Sequence, residues 1–239
     1  MELKILVDFD NIKITDRNRG LIYITEKIGA AIGYHMIKPY NRLHFRLYGG
    51  WYEQSNITKR AQILLSEIQR EFPRPLTVFN LSTGTHHRSI ANVELAVSLF
   101  VNPIHHLLST FRRRGIPDGL FCLHPTHIEC TDSHCPIIHV YDFINTGRCS
   151  SPDCSMTSDQ IIHRNQQKLI DSMLISDMIY LSVVKEPTVC VVSTDDDLWP
   201  GIETAIAIGS CIIHVHTRKR VTPAFYCGHV LCNYYQHFI

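Results

Sequence analysis

The sequence has no long hydrophobic run, no marked excess of charge and no low-complexity segment. Its longest apolar stretches, such as Val189–Val192, fall far short of the roughly 20 residues a helix needs to cross a bilayer, so no membrane span is expected. A formal net charge of +1 provides no global basic field, which leaves any contact with nucleic acid to local patches. Internal repeats are absent, and so is a glycine-rich loop of the kind that cradles phosphates. Asp8-Phe9-Asp10-Asn11-Ile12 closes on Ile, where a DxDx(T/V) phosphatase nucleophile needs Thr or Val. These two absences count against a phosphatase or nucleotide hydrolase built on an α/β sheet. The opening run, Met1-Glu2-Leu3-Lys4-Ile5-Leu6-Val7, lacks signal-peptide anatomy, and a cytoplasmic location is expected.

What is present is ordinary globular composition. The chain has 239 residues, 45% hydrophobic and 19% charged, enough for a core and for one domain with a small insert. Nine cysteines are many for a compartment in which disulfides are rare. Five of them fall between Cys122 and Cys154, among His124, His127, His134 and His139. Cys130-x4-Cys135 and Cys149-x4-Cys154 make two pairs, and four thiolates suit a closed tetrahedral zinc site. A Cys3His set drawing on Cys122 or the histidines, or a second ion, stays open. Pro125, Asp132, Ser133, Pro136, Gly147 and Pro152 make the segment loop-like, and such a loop needs a cross-link to become ordered. A loop with reduced surface thiols is the plain alternative. The expectation is a zinc-binding insert over 116–158 within a single domain spanning 1–239. Cys227-x4-Cys232 has no second pair and sits among Phe225, Tyr226, Val230 and Leu231, so buried thiols are expected there, as for Cys190 and Cys211 in apolar strands.

Outside the insert, strand-like and helix-like patterns alternate. Leu3–Val7, Leu43–Tyr52, Leu76–Leu81, Thr188–Ser193 and Cys211–His216 predict strands. Leu21–Ile37, Asn56–Phe72, Asp159–Ser182 and Pro200–Ile208 predict helices, and Ile90–Phe100 is a further amphipathic stretch. Pro200 at the start and Gly209 just past the end suit the last helix. Such alternation predicts an α/β fold, a parallel sheet sandwiched by helices.

In such sheets ligands sit beyond the carboxyl ends of the strands. Asp8, Asp10 and Asn11 follow the first strand there, and Asp195, Asp196 and Asp197 follow the Thr188–Ser193 strand. Strand alternation puts Asp8 and Asp10 on one side, and Asp195 and Asp197 likewise. Clustered carboxylates repel unless a cation balances them. Oxygen donors without His or Cys favour magnesium or manganese over zinc, and such an ion can activate water and neutralise a phosphate. Helix capping and turn formation are the plain alternative for each group alone.

A third acidic group, Lys168-Leu169-Ile170-Asp171 with Asp177 beyond it, completes a pattern. VDFDN at Val7–Asn11, KxxD at Lys168–Asp171 and SxDxDL at Ser193–Leu198 resemble, in that order, the three signatures of the NYN branch of PIN-like nucleases. The resemblance covers the first strand and roughly the last third of the chain. It implies a small Rossmann-like parallel sheet and divalent-cation-dependent cleavage of RNA. It also implies Asp8, Asp171, Asp195 and Asp197 as ligands of one or two magnesium or manganese ions. Asn11 would steady the first loop or touch phosphate, with Asp10, Lys168 and Ser193 in support. Asp177 stands six positions past Asp171, about 240° around an ideal helix, so the two cannot both point at one ion. It is left between a role behind the ligands and a place on the helix surface. The family usually has Gly where this chain has Leu169 and Thr194, and its minimal core is much smaller between the first strand and the helix. A non-catalytic nucleic-acid-binding or scaffolding protein is the alternative reading, and a protein partner or homo-oligomer fits either.

Two short basic runs, Arg112–Arg114 and Arg218-Lys219-Arg220, could hold phosphates or be solvated turns. The second follows the last predicted strand near the acids and is the expected substrate contact. Trp51 and Trp199 could stack bases, although Trp199 at a helix start is expected to pack.

Overall fold

A computed structural model of the chain describes residues 1–33, 40–81, 83–114, 120, 122–128, 130–132, 134–184, 186–218 and 233–239. It divides into two compact units, one formed by 1–111 with 167–239 and the other by 112–166. In chain order the first unit begins with β1 (Glu2–Asp8), α1 (Ile14–Arg17), α2 (Gly20–Gly33), β2 (Arg42–Tyr48), β3 (Tyr52–Glu53), β4 (Asn56–Ile57) and α3 (Lys59–Glu71). It continues through β5 (Arg74–Asn80) and β6 (Thr85–Leu95) to β7 (Phe111–Arg114), where the chain enters the second unit. That unit holds α4 (Pro136–Thr146) and α5 (Ser158–Ile161), and β8 (Arg164–Gln167) leads out of it. The first unit resumes with α6 (Ile170–Val183), β9 (Thr188–Val192), α7 (Trp199–Ile208), β10 (Cys211–His216) and β11 (Tyr234–Phe238).

Seven strands of the first unit form one sheet in the order β11-β10-β9-β1-β2-β6-β5. All neighbours are parallel except β5 and β6. The fold is therefore α/β with a mostly parallel sheet. Alternation along β1 decides which helices cover which face. Leu3, Ile5 and Val7 join Leu21, Ile24 and Ile28 of α2 and Ala61 and Leu64 of α3 in one buried cluster. Leu6 joins Met173, Leu174, Met178 and Leu181 of α6 and Ile202 and Ala205 of α7 in the other. Each fully buried side chain of this size contributes about 1.5–3 kcal/mol, so a one-residue slip of β1 would be costly on both faces. Chain order runs outward from β1 through β2 and from β9 through β10, so the sheet reverses its winding between β1 and β9. The crevice of a doubly wound sheet opens at such a reversal.

Several boundaries differ from the sequence expectation. Ile90–Phe100 is not a helix: its first half belongs to β6, which returns antiparallel along β5 with Thr85 opposite Asn80. Ala91, Val93 and Leu95 alternate inward there, so pairing with β5 overrides a weak helical spacing. The single helix expected over Asp159–Ser182 is broken into α5, β8 and α6, with Leu169 in the left-handed region at φ +68° just before α6. The strand expected to run to Tyr52 ends at Tyr48, and α3 begins at Lys59 behind Thr58, whose hydroxyl accepts from the Ala61 N–H at 3.3 Å. The helix predicted over Leu21–Ile37 is described to Gly33; residues 34–39 lie outside the described residues. Strand β11, which the sequence analysis does not predict, extends the sheet beside β10.

The 112–166 unit contains the segment expected as an insert over 116–158. No residue of α4 is buried. Ile137, Val140, Met156 and Ile161 are each about half exposed. Its local order comes from end caps: Gly147, left-handed at φ 74°, closes α4 by donating to the Phe143 carbonyl, and Thr157 N–H donates to Gln160 Oε1 at the start of α5. Among the described residues, no helix of the chain is long and apolar enough to cross a membrane.

Candidate metal centre

Three elements of the first unit deliver three aspartates to the β1–β9 crevice. Asp8 ends β1, Asp171 lies in the first turn of α6, and Asp195 follows β9. Each offers a carboxylate oxygen within 4.8 Å of the others. Among the described residues, this is the one group of three or more His, Cys, Asp or Glu so gathered. Asp8 is buried, Asp195 half-buried and Asp171 exposed. The cleft over them measures about 320 Å³ and is lined also by Asp10, Asn11, Leu169 and Arg218.

The loops around the cleft are tied to one another. Ser193 Oγ donates to Asp8 Oδ2 at 2.9 Å and accepts from the Asp195 N–H at 3.1 Å. The Ser193 carbonyl is 2.9 Å from His214 Nε2 on β10. Asn11 Oδ1 accepts from the Thr194 N–H at 2.9 Å and from the Thr217 hydroxyl, joining the loops after β1, β9 and β10. Thr194 Oγ1 accepts from the N–H groups of Thr217 and Arg218 at 2.8 and 3.1 Å. Asn11 thus ties three loops together through one carbonyl oxygen. The Thr194 hydroxyl thereby holds the loop after β10.

Burial, with the nearby Asp171 carboxylate, pushes the Asp8 carboxyl up to about 6 against the opposing hydrogen bond from Ser193. Burial and the charges of Asp195 and Asp197 push Asp171 up as well. The surroundings thus disfavour the ionised form of both carboxylates, burial first and neighbouring acids second. All donors are oxygen, which suits a hard divalent cation such as magnesium or manganese.

The remaining predicted residues have other placements. Asp197 is exposed and outside the triad; its N–H donates to Asp195 Oδ1 at 3.0 Å, so Asp195 also caps the short turn Asp196–Leu198. Asp10 faces the cleft, where Arg60, Arg17 (3.3 Å) and Gln167 Nε2 engage its carboxylate. Lys168 contributes its N–H to the Thr110 carbonyl at 2.9 Å. Asp177 occupies neither place considered for it. It is wholly buried, accepting from Tyr48 Oη at 2.6 Å and the Phe100 N–H at 2.7 Å, with Arg46 Nε at 3.2 Å. Arg218 lines the cleft, while Lys219 and Arg220 lie outside the described residues, as do Cys227 and Cys232. Trp51 is not available to stack bases: it is fully buried, donating through Nε1 to the Leu47 carbonyl at 2.9 Å. Trp199 packs edge-on against Tyr234, with ring centroids 5.6 Å apart. Cys190 is buried and Cys211 only half-buried.

In the second unit, Cys122, Cys130, Cys135, Cys149 and Cys154 are free, half-buried thiols. Cys149, Cys154 and His139 line one shallow depression with Val140, Phe143 and Met156. Sequence reasoning missed Arg17, Arg60, Gln167 and Thr217 around the cleft, because no local spacing ties them to the acids. None of the protein families, curated proteins or solved structures compared with this chain matches it.

Proposed function

We propose that the first unit is a divalent-cation-dependent phosphodiesterase of the NYN branch of PIN-like nucleases, with RNA as its first substrate. The observation that carries this reading is the convergence of Asp8, Asp171 and Asp195 within 4.8 Å at the reversal point of a parallel sheet. Each of the three comes from a different motif of the resemblance. Magnesium or manganese held there would lower the pKa of a water and neutralise charge building on the phosphate. The chain's own residues do the rest. Ser193 and the Asn11 N–H fix the two Asp8 oxygens, at 2.9 and 3.3 Å, so that the carboxylate is oriented before the ligand arrives. The amino end of α6 directs its positive dipole into the cleft beside Asp171, a favourable setting for a phosphate. Arg218, which also lines the cleft, adds a positive charge for the same group.

The test is incubation of the purified chain with labelled RNA, single-stranded DNA and duplex DNA, with manganese or with EDTA. Manganese-dependent cleavage that Asp8→Asn and Asp195→Asn abolish is the expected result. Binding without cleavage under every condition would identify the non-catalytic alternative.

The second unit is proposed to be held together by zinc. It buries no residue of its longest helix, and small units without a core depend on metals or disulfides. Cys130, Cys135, Cys149 and Cys154 remain the proposed ligands, with His139 competing from the depression it shares with Cys149 and Cys154. Elemental analysis should find about one zinc per chain, lost in Cys149→Ser together with the unit's protection from protease. A folded, zinc-free preparation would dismiss the idea.

A further inference from the structure

We infer that a second groove beside the acid cleft binds an unpaired nucleotide of a single-stranded nucleic acid, with Arg17 and Arg60 taking a phosphate next to the one in the cleft. The inference rests on the phosphodiesterase reading for its direction, but its observations are separate. The groove encloses about 520 Å³ between α1 and α3, and Phe9, Ile14, Arg17, Lys59, Arg60 and Ile63 are among its lining residues. That volume lies within the range of small-ligand sites. Phe9 is buried at its floor, while Ile14 and Ile63 are 65% and 59% exposed at its rim. Two large aliphatic side chains facing water, together with the Arg60 guanidinium that lies over the Phe9 ring, form a surface suited to the faces of a base.

The charges stand where the groove meets the cleft. Asp10 lines the acid cleft and pairs with both Arg17 and Arg60, which line the groove. Arg60 is held in place, its guanidinium 4.9 Å from the Phe9 ring centre and 5.8 Å from that of Trp51. One carboxylate does not satisfy two guanidinium groups. Arg17 Nε and Arg60 Nη2 are buried and have no hydrogen-bond partner. The other acid of the groove, Glu67, is already engaged, accepting from the Leu21 N–H at 2.5 Å. Burial first, then the charges of Arg60 and Arg218, lower the basicity of Arg17 against the opposing pull of Asp10. A phosphate supplies the missing acceptors and the missing negative charge together. A base paired in a duplex presents only its edges and cannot lay a face on Ile14 and Ile63, so the groove selects an unpaired strand.

The experiment uses the full chain carrying Asp8→Asn, in EDTA, with fluorescence anisotropy of a labelled eight-nucleotide single-stranded RNA. The expected result is at least about tenfold tighter binding than to a duplex of the same length. Arg60→Gln should weaken single-strand binding about tenfold and reduce the salt slope by about one. Because Arg60 also packs on Phe9 and Trp51, Ile63→Glu on the exposed face of α3 gives the same test without touching the core; it too should weaken binding about tenfold. Equal affinity for single strand and duplex, no effect of Ile63→Glu, or competition by polyglutamate as effective as by unlabelled RNA would overturn the inference. Absence of cleavage by the unsubstituted chain, with these binding differences intact, would count against the phosphodiesterase reading and leave the groove standing.

Discussion

Two aspartates six residues apart on α6 meet opposite surroundings. Asp171 stands exposed in the first turn, close to two further carboxylates. Asp177 is sealed in the core, where a phenol, a backbone N–H and Arg46 compensate it, and Arg46 in turn is held by Glu94 and the Ser98 carbonyl. Burial raises the carboxyl pKa of both. What differs is the partner: neighbouring acids add to the rise at Asp171, whereas donors and a guanidinium oppose it at Asp177. The acid with donors around it belongs to the fold, whereas the acid set among other acids is the one the proposed function assigns to a cation.

The largest effect that could break this contrast is on activity. Asp8→Asn and Asp195→Asn should each reduce manganese-dependent cleavage by more than about 10³-fold, some 4 kcal/mol of barrier, with the circular dichroism spectrum unchanged. Asp177→Asn should leave cleavage by the folded fraction within a few fold. If Asp177→Asn instead removed activity from a chain of undiminished stability, the two acids could not be separated in this way.

Next in size is stability. Asp177→Ala removes the acceptor for Tyr48 and Phe100 and strips Arg46 of one counter-charge. We expect a loss of about 3 kcal/mol in urea unfolding, near the low end for a broken buried pair because Arg46 keeps Glu94. Asp171→Ala should cost less than about 0.5 kcal/mol, as for an exposed position. Equal costs would show that neither burial nor partners separates the two sites.

A smaller effect concerns pH. In the folded chain Asp8 ionises near pH 6, against 3.8 ordinarily, so between those values the folded state keeps a proton that the unfolded state has released. Without divalent cation, stability should therefore fall as pH rises across that window, by roughly 2–3 kcal/mol from this group, and level off above it. Urea unfolding in EDTA at pH 4 and pH 7, with Asp8→Asn as the reference, measures the difference. Manganese, which competes with the same proton, should bind about tenfold more weakly for each pH unit below 6. A pH-independent gap between the unsubstituted chain and Asp8→Asn would dismiss Asp8 as the titrating group.

Much of this contrast can be read in the sequence, and the rest is not local. The β1, β9 and β10 runs carry enough β-branched residues to declare themselves, and Pro200 with Gly209 brackets α7. The 240° offset correctly separates Asp177 from Asp171. It does not reveal that Asp177 turns inward, because its partners Arg46, Tyr48 and Phe100 are brought to it by β2 and the segment after β6. Asp10 reads as a supporting acid of the cluster, with no sign of its own partners, for the same reason: Arg17, seven residues on, and Arg60, fifty residues on, neutralise it only after folding. Ile90–Phe100 shows the converse, a local spacing that resembles a helix until β5 supplies the pairing. For the cysteines, spacing suggests ligand pairs, while geometry brings His139 into the company of Cys149 and Cys154.

The smallest expected effect tests how the two acids of α6 acquire their different settings. Leu169 precedes the helix at φ +68°, a conformation that costs a leucine about 1–2 kcal/mol and a glycine almost nothing. Its carbonyl accepts from the Met173 N–H at 2.8 Å, so this turn fixes where α6 starts, and with it which face carries Asp171 and which carries Asp177. The side chain is 47% exposed and gives up little packing. Leu169→Gly should accordingly stabilise the chain, by less than about 1 kcal/mol once the greater freedom of glycine when unfolded is subtracted. The same change widens the mouth of the acid cleft, so any change in cleavage should appear in KM for RNA rather than in the manganese dependence. A destabilised Leu169→Gly would mean that the leucine side chain, and not the backbone turn, sets the start of α6.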